Sequence, residues 1–139
     1  MTAYLERIRE CNPAVNAICT LLPDEEALAL ADAADAARAR GDTLGPLHGL
    51  PVLIKDNIET RAMPTTAGSL ALAGSIAPQD ATIVAKLRDA GAIILGKTNL
   101  PDLAMDLQTD NALFGATKNP WSATHTPGGS SGGEAAALA

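Results

Sequence analysis

A strand–helix–strand pattern in the middle of the chain constrains the fold more than any other feature. The run at residues 52–54 is short, apolar and rich in β-branched side chains, which is typical of a buried strand. Apolar residues at helical spacing follow over residues 81–90, and Gly91 ends that segment. A second buried strand is predicted over residues 92–95. Short connections between these three elements indicate a βαβ unit, and therefore an α/β fold.

Other segments add helices and a strand around this unit. We predict a short helix from Tyr4, with Asn12-Pro13 as its stop signal or as the cap of a new turn, and then a strand over residues 16–22. A further helix should begin with Asp24 as its N-cap and end at Gly41. Asp80 should cap the helix of the βαβ unit in the same way. Neither a linker nor an internal repeat is visible, so the chain is interpreted as part of one domain.

Composition excludes several classes of function. The net charge is −6 and only 2% of the residues are aromatic, which disfavours both phosphate-backbone binding and base stacking. Cys11 and Cys19 form no CxxC pair, and His48 and His125 have no companions at metal-ligand spacing. No stretch is long and apolar enough for a membrane span, and no signal peptide is visible, so a cytoplasmic protein without metal or cofactor is predicted.

Lys55 is the first candidate for a chemical role. It follows the predicted strand at residues 52–54, and ligands and catalytic groups collect at the carboxyl ends of strands in α/β sheets. Burial disfavours the charged form of a lysine, and a neutral lysine can act as a general base. The alternative is a strand-end lysine that extends its amine into water. Lys97 has a very similar setting, so position alone does not decide between the two roles.

A glycine- and serine-rich loop at residues 127–133 is the second candidate. Ser130 and Ser131 stand between two Gly-Gly pairs, where backbone can take unusual conformations and approach a ligand closely. Its N–H groups could bind an oxyanion, and a lysine base could activate a serine hydroxyl. A plain flexible loop is the alternative. A phosphate-binding loop is disfavoured because Glu134 stands where a cation would be needed.

Several motifs together resemble the amidase signature family. They occur in the same order as in that family and extend over most of the chain: GPLHGLPVLIKDN at residues 45–57, GKTNLP at 96–101, FG at 114–115, NPW at 119–121 and PGGSSGG at 127–133. The resemblance implies an α/β fold with a mixed β-sheet flanked by helices. It also implies an amide hydrolase that works through a Ser–cis-Ser–Lys triad and an acyl-enzyme intermediate.

The resemblance assigns roles to particular residues. Lys55 corresponds to the triad lysine, and Ser130 to the bridging serine whose preceding peptide bond is cis in the family. The composition of the loop, not the resemblance, gives a weaker assignment to a substrate or oxyanion loop, and it covers Gly128, Gly129, Ser131 and Gly132. The nucleophilic serine of the family falls beyond Ala139 and has no counterpart here.

This gap leads to expectations about the chain as a whole. We interpret residues 1–139 as the N-terminal part of a single amidase domain, truncated before the nucleophile and inactive alone. The strands at residues 52–54 and 92–95 are expected to lack neighbours, so the isolated chain should associate. The expected substrate is a small-molecule amide, without nucleic acid or membrane contacts, and oligomer formation is compatible with the sequence.

Two alternatives remain open. One is the A subunit of a glutamyl-tRNA amidotransferase, which needs a partner protein and serves tRNA-linked glutamate. The other is a truncated, non-catalytic paralogue. The segment at residues 63–69 resembles the stand-alone amidases more than the amidotransferase proteins, which usually carry a cysteine there.

Overall fold

The computed structural model describes all residues from Met1 to Ala139. Four α-helices and three strands are connected by long loops, two of which contain a single 3₁₀ turn. In chain order the elements are α1 (Thr2–Val15), β1 (Ile18–Leu21), α2 (Asp24–Arg40), β2 (Pro51–Lys55), α3 (Thr82–Asp89), β3 (Ile93–Thr98) and α4 (Gly132–Leu138). None of these helices has both the length and the apolar character needed to cross a membrane.

The three strands form one mixed sheet in the order β1-β3-β2. Strands β2 and β3 are parallel and are joined through α3, so the predicted βαβ unit is confirmed. Strand β1 pairs with the other side of β3 in antiparallel orientation. The expectation that both strands of the βαβ unit lack neighbours is wrong for β3. It is the central strand, and all six of its residues are buried because a neighbour covers each edge.

An irregularity in β3 controls which side chains face which layer. Val52 pairs with Ile94, but Leu53 pairs with Gly96, so β3 contains one extra residue at Leu95. Such a bulge shifts the alternation of side chains by one position. As a result Ile54 pairs with Lys97, and Lys55 pairs with Thr98.

The sheet has a helical layer on each side. On one side, here called the α3 face, Ile54 and Ile94 pack with Val84 of α3 and with Met63 of the following loop. On the other side, called the α4 face, Leu95 packs with α1 and α2, while Ala136 of α4 packs near Ala17 and Ile18. Met63 is therefore a core residue, which gives part of the 63–69 segment a structural role.

Three local predictions are wrong in detail. Pro13 lies inside α1, which continues to Val15 and is ended by Asn16 in a left-handed conformation. The missing N–H of Pro13 falls in the last turn, and nearby the Asn12 side chain accepts hydrogen bonds from the N–H groups of Ala17 and Ile18.

Neither predicted N-cap forms a capping hydrogen bond. Asp24 is the first residue within α2 and pairs with Arg9. The carboxylate of Asp80 instead accepts hydrogen bonds from the N–H of Arg61 and from Nε of Arg88, at 2.8 and 2.9 Å. Arginine guanidinium groups and a loop N–H therefore bind these two carboxylates in place of the helix termini.

Candidate active site

The structure brings Lys55 into contact with both serines of the glycine-rich loop. Its Nζ lies 2.7 Å from Oγ of Ser130 and 2.9 Å from Oγ of Ser131. Lys55 and Ser130 are half-buried, whereas Ser131 is exposed. The two predicted site residues are thus direct neighbours, although they lie 75 positions apart in the chain.

The fold explains why they meet. Lys55 is the last residue of β2, and its pairing with Thr98 places its side chain on the α4 face. Helix α4 begins at Gly132 and packs on β2 and β3. The loop that precedes α4 therefore lies over the carboxyl end of the sheet, which is where the amine of Lys55 ends.

Close backbone packing fixes the start of α4 at this edge. The N–H of Gly133 donates to the carbonyl oxygen of Asn99, just beyond β3, at 3.1 Å. A Cβ on Gly133 would lie 2.5 Å from the backbone N and O atoms of Asn99. Only glycine fits there, so this glycine serves the approach of two backbone segments rather than the approach of a ligand.

Two further glycines of the loop also permit close packing. A Cβ on Gly129 would lie 2.7 Å from the backbone of Leu107, and one on Gly132 would overlap Oγ1 of Thr109. The loop is therefore packed closely against residues 106–109. The peptide bond between Gly129 and Ser130 is cis, which is the geometry that the resemblance implies for the bridging serine.

This packing also determines which N–H groups of the loop are available. The N–H of Gly128 donates to Oγ1 of Thr126, and that of Gly132 donates to Oγ1 of Thr109, both at 3.1 Å. The N–H groups of Gly129, Ser130 and Ser131 have no acceptor within the protein. The oxyanion role of the loop stays a prediction, and those three amides are the ones open to a ligand.

An open groove of about 610 Å³ runs beside Ser130. Gly129 and Ser130 line it together with the adjoining segment that contains Met105, Asp106 and Leu107. The Asp106 carboxylate accepts a hydrogen bond from the N–H of Gln108, so it stabilises its own turn. A substrate could therefore reach Ser130 along a groove of mixed polarity.

A buried network of amide side chains anchors the loop that follows β3. Asn99 Nδ2 donates to the carbonyl oxygen of Gly115 and to Oγ1 of Thr117, each at 3.0 Å. Asn111 Nδ2 donates to Oδ1 of Asn99 and to the carbonyl oxygen of Leu100, both at 2.7 Å. These bonds attach residues 111–117 to the end of β3.

Lys97 lies on the opposite side of the sheet. It is 0% exposed, and its Nζ donates to the carbonyl oxygen of Ile58 at 2.8 Å and to Oγ1 of Thr65 at 2.9 Å. Oδ1 of Asp56 lies 3.8 Å from the same amine. The other carboxylate oxygen of Asp56 accepts hydrogen bonds from the N–H and the hydroxyl of Thr66. This buried pair joins β3 to the 56–66 loop that follows β2.

Burial shifts the ionisation of these groups toward their neutral forms. Loss of solvent lowers the pKa of Lys97, although the charge of Asp56 acts in the opposite direction. It also raises the pKa of Asp56, although the hydrogen bonds from Thr66 and the charge of Lys97 oppose this shift. The thiol of Cys19 donates to the carbonyl oxygen of Lys97 at 3.5 Å. Burial, aided by the charge of Asp56, raises the pKa of Cys19 to about 12.

Sequence reasoning missed Asp56, Asn99, Thr109 and Asn111 as parts of this region. Asp56 and Asn99 stand directly after the two strands of the βαβ unit, so their positions were a usable signal. Thr109 and Asn111 lie in a loop without regular structure, and no local pattern marks them.

Comparison with known proteins decides the family. A family model described as Amidase matches residues 1–139. The chain belongs to the amidase family. The family resemblance of the motifs is thereby confirmed, and the mixed sheet with its flanking helices matches part of the amidase-signature fold.

Three relatives illustrate the range within the family. The chain is 53% identical over 137 residues to the A subunit of the glutamyl-tRNA(Gln) amidotransferase of Acidothermus cellulolyticus, covering 99% of this chain and 27% of that protein. It superimposes on the peptide amidase of Stenotrophomonas maltophilia with a TM-score of 0.89 at 46% identity, covering 99% of this chain and 29% of that one. For the corresponding amidotransferase protein of Thermotoga maritima the TM-score is 0.80 at 36% identity, with coverages of 99% and 27%. The chain thus spans about a quarter of the length of the curated relatives it matches.

Proposed function

We propose that this protein takes part in the hydrolysis of a carboxylic amide, with Lys55 as general base and Ser130 as the bridging hydroxyl. The distance of 2.7 Å between Lys55 Nζ and Ser130 Oγ carries the proposal. It lies within the range in which a proton can pass directly between the two atoms. The open groove beside Ser130 gives a substrate access to the same hydroxyl.

The proposed relay moves protons without a metal or cofactor. Neutral Lys55 accepts the proton of Ser130, while Ser130 accepts the proton of a nucleophilic serine, which the resemblance assigns to a position beyond Ala139. The serine oxygen forms a bond to the amide carbonyl carbon, and the carbon–nitrogen bond then breaks to leave an ester. The relay returns a proton to the leaving amine, and water hydrolyses the ester to the acid.

Lys55 has a geometry suited to this exchange. A charged lysine donates to both serines, whereas a neutral one keeps a lone pair that can accept a proton from one of them. The amine bonds to two hydroxyl groups and forms no ion pair with a carboxylate. The distances to Ser130 and Ser131 are nearly equal, so the choice of Ser130 depends on the family resemblance and needs a direct test.

A role within a glutamyl-tRNA(Gln) amidotransferase, as its A subunit, is the second candidate. The 53% identity to the Acidothermus cellulolyticus protein favours it, and it weakens the preference for a stand-alone amidase that residues 63–69 suggested. The TM-score of 0.89 with the peptide amidase supports the first candidate. Both would use the same lysine and serine to break an amide bond, and they would differ in the acceptor of the nitrogen.

Substitution of each serine by alanine, one at a time in the full-length protein, tests the relay. Ser130→Ala should lower kcat for ammonia release from simple carboxamides by about 10²- to 10⁴-fold, because it removes the bridging hydroxyl. Ser131→Ala is the matched control, and it should cost about tenfold or less because it removes only one hydrogen bond to Lys55. Wild-type turnover by Ser130→Ala would refute the assignment.

The same protein distinguishes the two candidates. Release of ammonia from simple carboxamides by the protein alone supports the stand-alone amidase. Amide transfer to glutamyl-tRNA that appears only after partner proteins are added supports the amidotransferase.

A further inference from the structure

Thr109 makes an unusual pair of hydrogen bonds on both sides of Ser130. Its side chain is 2% exposed and projects from the loop that follows β3. The hydroxyl donates to the carbonyl oxygen of Gly128 at 2.9 Å and accepts from the N–H of Gly132 at 3.1 Å. One hydroxyl therefore binds the backbone two residues before and two residues after Ser130.

No other side chain from outside residues 126–139 bonds to the backbone of residues 128–132. Lys55 bonds to the loop as well, but only to the hydroxyl groups of Ser130 and Ser131. Glycine-rich backbone has a large conformational freedom to lose on folding. Thr109 thus adds side-chain hydrogen bonds that hold the loop on its path past Lys55.

Thr109 is itself held firmly. Its carbonyl oxygen accepts a hydrogen bond from the N–H of Thr117 at 2.8 Å, and Thr117 bonds to Asn99 at the end of β3. Gly132 could not carry a side chain without displacing the Thr109 hydroxyl, because its Cβ would overlap Oγ1. The connection therefore runs from the sheet, through Thr109, to both sides of the serine.

We propose that Thr109 is a positioning residue that sets the distance and orientation of the Ser130 hydroxyl relative to Lys55. It contacts neither Lys55 nor the Ser130 side chain, so it acts through the backbone of the loop. The expected effect on turnover rests on the proposed amide hydrolysis. The expected effect on the loop does not, and this allows the two to be tested separately.

The experiment compares Thr109→Val, which keeps the shape and removes the hydroxyl, with Thr109→Ser, which keeps the hydroxyl. In the full-length native protein Thr109→Val should lower kcat for carboxamide hydrolysis by about 10- to 100-fold, because small displacements of reacting groups have effects of this size. KM should stay within about twofold, and Thr109→Ser should restore most of kcat. Thr109→Ala serves the same purpose if the valine variant does not fold.

Thr60→Val is the matched control. Thr60 is also buried, and its hydroxyl donates to the carbonyl oxygen of Ile58 at 3.1 Å, on the α3 face and away from the serine loop. This variant should lose stability as Thr109→Val does while keeping kcat. An equal fall in kcat for Thr60→Val, or wild-type kcat for Thr109→Val, would overturn the proposal.

Hydrogen exchange measured on the same variants separates the loop from the chemistry. Thr109→Val should accelerate exchange at the N–H of Gly132 at least about tenfold, relative to that of Gly133, which bonds to Asn99 instead. Unchanged relative exchange would overturn the positioning role even if kcat falls. If the wild-type protein hydrolyses no amide, the proposed function fails, and exchange at Gly132 alone decides the role of Thr109.

Discussion

Lys55 and Lys97 stand at the ends of neighbouring parallel strands, yet their surroundings differ in every respect. Lys55 is half-buried beside a groove and bonds to two serine hydroxyls. Lys97 is fully buried and bonds to loop oxygens next to Asp56. The first arrangement leaves an amine accessible for proton exchange, whereas the second uses an amine to join two segments of the fold. A position at the carboxyl end of a strand is therefore insufficient to identify a catalytic lysine.

The bulge in β3 causes this difference. If the pairing of Val52 with Ile94 continued without interruption, Lys55 would lie directly beside Lys97 on one face of the sheet. Two like charges in neighbouring positions are unfavourable. The extra residue at Leu95 moves Lys97 opposite Ile54, on the α3 face, and leaves Lys55 beside Thr98 on the α4 face. One inserted residue thus separates a structural lysine from a candidate catalytic one.

Lys55→Met should give the largest effect. If turnover does not fall, the contrast between Lys55 and Lys97 is wrong. The substitution removes the amine and keeps most of the apolar stem, so carboxamide turnover by the full-length protein should fall by about 10³-fold or more. The free energy of unfolding should change by less than about 1 kcal/mol, because the two lost hydrogen bonds involve accessible serines. Turnover and urea unfolding, measured on one preparation, check both. A large loss of stability with intact turnover would reverse the roles of the two lysines.

Lys97→Met should show the opposite pattern. It leaves the carboxylate of Asp56 buried without a countercharge, and losses of this kind cost about 3–5 kcal/mol of unfolding free energy. Asp56→Asn in the same chain removes the uncompensated charge and keeps an oxygen for Thr66, so the double variant should recover a large part of that loss. Urea unfolding of the wild type, both single variants and the double variant provides a double-mutant cycle. Additive losses would show that the pair is not coupled.

The βαβ unit and the elements beside it could be predicted because their signals are local. Apolar runs mark β2 and β3, helical spacing marks α3, and Gly41 ends α2 in a left-handed conformation as expected. The predicted ends were less accurate where side chains had better partners elsewhere. Asp80, for example, bonds to Arg61 and Arg88 instead of the helix terminus, and only the folded chain brings these arginines near it.

The contact between Lys55 and the serine loop was expected from the family motifs, not from local physics. A strict alternation of side chains between the two faces of β3, counted from Ile94, gives no indication of the extra residue at Leu95. The sequence therefore could not show which face of the sheet each lysine occupies. The bonds of Thr109 to Gly128 and Gly132 also depend on segments that are distant in sequence. The positions of these groups follow from the packing of loops against the sheet, which has no sequence period.

Cys19 provides an effect that is confined to alkaline pH, and it reports on the surroundings of Lys97. Its folded-state pKa is raised from 9.0 to about 12, chiefly by burial. Below pH 9 the thiol is protonated in both states, so its contribution to stability is intact. As the pH rises from about 9 to about 12, the unfolded chain loses this proton first, and stability should fall by up to about 1.4 kcal/mol per pH unit. Urea unfolding of the wild type minus that of Cys19→Ala, measured across this range, isolates the effect from other groups that titrate there. If the difference in unfolding free energy between the two proteins did not depend on pH, water would reach the thiol in the folded protein. The surroundings of Lys97 would then be less buried than we describe.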